Sequence, residues 1–149
     1  MFSIRLIQWF VDTICAPWGL FGHIHQELAR TPTTERAIAD ARGIYRSVFA
    51  EEEWLTCVWS GRAISSPEAM HIDHILPFSV WKNNDLWSLL PTLGSVNAEK
   101  RDQIPDRSLL ESRRECIVDY WDLLHDHTHC PFEREIGVSL LGTQRLRSG

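Results

Sequence analysis

At 149 residues, 44% of them hydrophobic, the chain has the length of one domain and enough apolar material for a real core, which excludes disorder as a description of the whole. Its 15 Lys and Arg against 20 Asp and Glu leave a formal charge of −5, the opposite of the balance in proteins that hold nucleic acid by bulk phosphate neutralisation. Four cysteines, Cys15, Cys57, Cys116 and Cys130, stand far apart with no CxxC pair and no secretory leader, so reduced thiols and a cytoplasmic setting are expected rather than a disulfide framework.

The segment 1–17 is mostly apolar, but Arg5, Gln8 and Asp12 fall on one stripe at steps of three and four, the pattern of a largely buried amphipathic helix. It is too short and too polar to span a bilayer, and no membrane partner is expected. Pro17 and Gly19 end it, and 18–29 reads as another short helix before the TPTT turn. His23 and His25 there stand two residues apart, do not share a helix face, and are read as structural or surface residues. From Thr34 onward the spacing predicts a helix with Ile38, Ala41, Tyr45, Val48 and Phe49 on its apolar face, Thr33 or Thr34 as cap and Glu35 in the first turn.

Beyond the acidic run at 51–53, residues 55–59 have strand composition, Ser60 and Gly61 read as a turn, and 69–76 supplies a second strand. With a helical stretch over 96–101 these two strands make a β-β-α unit. Asp73 and His74 are neighbours and would point to opposite faces of a flat strand, so the strand must end or bend there if both serve one site; Pro77 agrees with an ending. The dense apolar run with Trp81, Leu86, Trp87, Leu89 and Leu90 reads as core rather than a base-stacking platform. Asn83 and Asn84, ahead of Asp85, read as turn and cap residues.

Ser108 and Glu111 have capping-box spacing at the start of a long helix over 108–126, with Leu109, Cys116, Tyr120 and Leu123 on one face and Leu110, Ile117, Trp121 and Leu124 beside it. This helix is expected to pack over the β-β-α unit. A tail after Pro131 holds one short apolar segment, 136–141, and ends in basic and polar residues. The fold class is therefore α+β and mainly helical, one domain with a helical part over 1–54, a β-β-α core over 55–105 and a helical part over 106–149.

The chemistry concentrates between His71 and Lys100. Three side chains, His71, Asp73 and His74, fall within four residues, and Asn97 and Lys100 follow one helical turn apart. Hydrolysis of a phosphodiester needs a divalent cation on oxygen ligands, a neutral base to deprotonate water, and positive charge near the phosphate. Asp73 and Asn97 supply oxygens, His74 an imidazole that titrates close enough to cellular pH to serve as a base, and Lys100 a cation. Arg101, Arg107, Arg113 and Arg114 cluster just beyond and can form a local basic face on an acidic body; Arg101 and Arg107 are the candidate substrate contacts.

The run DHILPFSVWKNNDLW, with Asn97 and Lys100 behind it and Ile104-Pro105 after, resembles the HNH endonucleases, a group of ββα-metal nucleases, over about residues 57–105. The resemblance implies a ββα-metal (HNH) finger acting on DNA with Mg²⁺, for which Mn²⁺ or another divalent cation can substitute. It implies Asp73 and Asn97 as metal ligands, His74 as general base, Lys100 as the cation near the scissile phosphate, and His71 as an auxiliary group. The middle asparagine of the motif, which steadies the loop carrying the base, falls at Ser88, whose hydroxyl reaches less far. It also implies products with a 5′ phosphate and a 3′ hydroxyl, and a bacterial or phage defence role. The acidic charge raises two alternatives: a nickase or nuclease subunit whose DNA is delivered by a larger protein or nucleoprotein complex, and a degenerate interaction module.

A structural zinc is not expected. Where many HNH domains carry a CxxC pair this chain has Cys57-Val-Trp-Ser60, and no second pair exists. His125, His127, His129 and Cys130, with Cys57 or Cys116, do not have the spacings of known fingers.

Overall fold

The computed structural model describes residues 36–79 and 84–128, together with Gln8 and Asp12. Its elements in chain order are helix α1 (Arg36–Glu52), strands β1 (Leu55–Thr56), β2 (Ala63–Ile64) and β3 (Met70–His74), a 3₁₀ turn (Leu86–Ser88), strand β4 (Leu89–Leu93), and helices α2 (Gly94–Lys100) and α3 (Arg107–Thr128). The described residues are thus α+β, three helices with two small antiparallel sheets. The expected second short helix, the C-terminal tail, Trp81, Asn83, His23, His25, His129, Cys15 and Cys130 lie outside the described residues. Of the expected N-terminal helix only two positions are described, and there Gln8 donates to the Asp12 carboxylate at 3.2 Å across one turn.

Strand pairing differs from the sequence expectation. The segment 55–59 does not pair with 69–76: β1 pairs with β2, and the partner of β3 is β4, in the register His71 to Thr92, Asp73 to Leu90 and His74 to Leu89. The β-β-α succession that carries the candidate residues is therefore β3, β4 and α2. The reason lies in the Leu89–Leu93 run, which is apolar enough to be buried on both faces and so carries no period-2 signal. Its five residues close an antiparallel ladder that two-residue strands cannot match.

The helix faces agree with their periodicities. Ala41, Tyr45 and Val48 of α1 and Leu110, Ile117, Tyr120, Trp121 and Leu124 of α3 are buried in one apolar cluster with Trp87, Leu89 and Leu90. Polar atoms inside this core are paired: the Tyr45 hydroxyl donates to the Leu89 carbonyl at 2.9 Å, and the Trp121 indole N–H to the Trp87 carbonyl at 2.8 Å. Trp87 and Trp121 meet edge to face with centroids 6.4 Å apart. The α3 start is a correction to the capping box: Asp106 is the cap, accepting from the Leu109 amide at 2.8 Å, and Glu111 instead holds Arg107 at 3.2 Å.

The β1–β2 connection is a tight turn tied to both its neighbours. Val58 donates its amide to the Pro91 carbonyl at 3.0 Å, Leu93 donates to the Cys57 thiol at 3.3 Å, and Arg113 of α3 grips the Val58 carbonyl at 2.6 Å. Burial pushes the Cys57 thiol up, but hydrogen bonds involving Ser60, Thr92 and Leu93 outweigh it, and the net displacement is downward. Gly61 adopts φ 72°, and a Cβ there would lie 2.8 Å from the Arg113 guanidinium. Gly61→Ala is therefore expected to cost about 1–3 kcal/mol, read as a lower urea midpoint with an unchanged slope; an unshifted midpoint would show that the turn does not depend on this conformation.

Candidate functional site

Asp73 and His74 sit on the last two positions of β3 and do face different ways, as neighbours on a strand must. Asp73 points inward, to the side on which α2 packs, and is buried. Its carboxylate is held through both oxygens: Oδ2 accepts the Trp59 indole N–H at 2.6 Å and lies 3.0 Å from Lys100 Nζ, while Oδ1 accepts the His74 backbone amide at 2.9 Å. A buried carboxylate is costly unless its charge is compensated, and Lys100, with only 8% of its side chain exposed, supplies that compensation. The same ammonium donates to the His74 carbonyl at 3.2 Å and stands 5.3 Å from the centre of the Trp59 ring.

The His74 side chain is half-buried. Its Nε2 is 2.7 Å from Asn84 Oδ1, and its ring tilts against Phe78 with centroids 5.5 Å apart. An amide oxygen can only accept, so Nε2 carries the hydrogen and the lone pair of the neutral ring is on Nδ1. Asn84 is itself buried, in the segment that returns the chain toward β4. Ser88, placed by sequence at the position that steadies the base, contributes through its backbone: its carbonyl accepts the Ile75 amide at 2.8 Å, immediately after His74.

Asn97 lies on α2 three residues before Lys100, one turn earlier along the same side of that helix. His71 shares the strand face of Asp73, and its ring rests on Gly94 at the start of α2, where a Cβ would come within 2.7 Å of its Nε2. The arginines separate. Arg107 is held by Asp12 at 2.8 Å and by Glu111, and Arg113 by the Val58 carbonyl, so neither is a free phosphate contact in this arrangement. The Arg107 hydrogen bond in turn draws the Asp12 carboxyl below its ordinary range. Arg101 is exposed and ends α2 with φ 48° and ψ −134°, a conformation that strains any residue with a Cβ.

Sequence reasoning missed Trp59 and Asn84. Trp59 read as strand apolar content, and nothing in one sequence signals that its indole N–H would meet a carboxylate 14 positions away. For Asn84 the type was visible but not the burial.

The donor types suit a hard divalent cation, a carboxylate at Asp73 and an amide oxygen at Asn97 on α2, although the Lys100 ammonium now occupies Asp73 Oδ2. Among the described residues no group of three His, Cys, Asp or Glu could hold a metal, so a cation here depends on oxygen from water and substrate as well. None of the described helices is long and apolar enough to cross a membrane.

No curated protein and no solved structure matches the chain significantly. A family comparison does match: residues 57–106, the segment that carries Trp59, Asp73, His74, Asn84, Asn97 and Lys100, fit the model described as HNH endonuclease, and over this segment the chain is similar to that family.

Proposed function

We propose that the protein is a divalent-metal-dependent endonuclease that hydrolyses DNA phosphodiester bonds through a ββα-metal finger made of β3, β4 and α2. The observation that carries this reading is the pairing of a compensated, buried Asp73 with an adjacent His74 whose Nε2 is fixed by Asn84. His74 Nδ1 takes the proton from the attacking water, and the Asn84 oxygen keeps the ring in the tautomer and orientation that make this possible. Asp73 and Asn97 would hold a single Mg²⁺, which when bound would supply Lewis-acid stabilisation of the charge that develops on the phosphate. Arg101, exposed at the end of α2, is the best-placed cation for a neighbouring phosphate, and a strained backbone at a charged residue beside the site agrees with that use.

The test is incubation of the purified protein with supercoiled plasmid and Mg²⁺ or Mn²⁺, with EDTA as control. Relaxed or linear product that EDTA abolishes is the expected result; intact plasmid with every divalent cation overturns activity on free DNA. A partner-dependent nuclease is the second reading, favoured by the net charge of −5 and by the engagement of Arg107 and Arg113 within the chain, which leave few cations to hold DNA unaided.

A further inference from the structure

We infer that Trp59, at the β1–β2 turn, is a positioning residue for the Asp73 carboxylate, and that Lys100 is the resident cation that a divalent metal displaces. The inference rests on the proposed metal site at Asp73. Both acceptor directions of Oδ2 are taken, one by the indole N–H at 2.6 Å and one by the ammonium at 3.0 Å, whereas Oδ1 has a single backbone donor. A dication and an ammonium cannot both stand against one buried carboxylate without strong repulsion, and of the two donors on Oδ2 only the ammonium is charged, so Lys100 is the one a dication opposes.

The indole is the one that cannot move. Trp59 is buried, and its turn is pinned by the Val58 amide on Pro91 and by Arg113 on the Val58 carbonyl. Lys100 can move: it ends a short helix, and it lines an open groove bounded by Trp59, Arg62, Val96, Gln103 and Ile104 into which its flexible side chain can swing. In that position the ammonium is released to solvent and to a phosphate, while the indole N–H continues to aim the carboxylate. The two residues that share Oδ2 thus have opposite effects on metal affinity.

Mn²⁺ titration by electron paramagnetic resonance, on the full chain and below the melting temperature of each variant, reads this directly. Trp59→Phe keeps an aromatic side chain, smaller than the indole, and removes the N–H, and is expected to weaken Mn²⁺ binding about 10- to 100-fold. Trp59→Tyr, which returns a donor, is expected to recover part of that loss. Lys100→Met removes the competitor and is expected to tighten binding by roughly tenfold or more, even though cleavage falls. A purely structural role for Trp59 would lower the melting temperature of Trp59→Phe and leave the affinity of the folded fraction unchanged, which overturns the positioning role. Equal or weaker binding in Lys100→Met overturns the exchange. Absence of Mn²⁺ binding in the unsubstituted protein overturns the metal site itself and the inference with it.

Discussion

Replacing His74 with alanine is expected to lower Mg²⁺-supported plasmid cleavage by about 10²–10⁴-fold, the usual contribution of a positioned general base, with the fold retained. The structural cost is small because the parts of His74 that hold the site together are in its backbone. Its amide donates to Asp73 Oδ1 and its carbonyl accepts from Lys100, and both bonds survive truncation at Cβ. What is lost is the ring, its contact with Asn84 and its tilted packing on Phe78. Single-turnover cleavage, with near-UV circular dichroism and Mn²⁺ titration on the same preparation, separates loss of a base from loss of a site. A variant that still binds Mn²⁺ and no longer cleaves supports the assignment. One that cleaves at the rate of the unsubstituted protein removes His74 from the chemistry.

How far the residues announced this site depends on the range of the interaction that makes each part. The faces of α1 and α3 follow from apolar spacing along a helix, a local property, and Tyr45, Ile117 and Trp121 are buried as their spacing requires. The ending of β3 at His74 was legible from Pro77, three residues on. The identity of the partner strand was not, because Leu89–Leu93 is buried over its first four residues and has no alternation to read. Nor was the fate of Lys100. A lysine one turn after Asn97 suggests a cation facing a phosphate, and only the depth of Asp73 turns that ammonium inward. Trp59 is the extreme case, since its role is set by two hydrogen bonds, one backbone to backbone and one to the Cys57 thiol, that dock the β1–β2 turn on β4, and by one from the Arg113 side chain of α3. Such contacts between distant segments leave no periodic trace.

Asn84→Ala is expected to reduce cleavage by about 10²-fold, the scale on which a small misplacement of a reacting group is felt, without changing Mn²⁺ affinity. With the oxygen at 2.7 Å removed, Nε2 loses the acceptor that fixes its hydrogen. The ring is then free to rotate and to place its lone pair on either nitrogen. Asn84→Asp discriminates orientation from simple burial, since a carboxylate restores the acceptor in nearly the same shape. Its negative charge also favours the imidazolium, so a higher pH is needed to obtain the neutral ring that accepts a proton. The acid limb of the pH–rate profile should therefore move to higher pH in Asn84→Asp, with the plateau rate largely recovered. In Asn84→Ala the plateau itself should fall. An Asn84→Ala protein that cleaves at the full rate, or an Asn84→Asp protein with an unmoved acid limb, would separate Asn84 from the base and leave its contact with His74 a matter of packing alone.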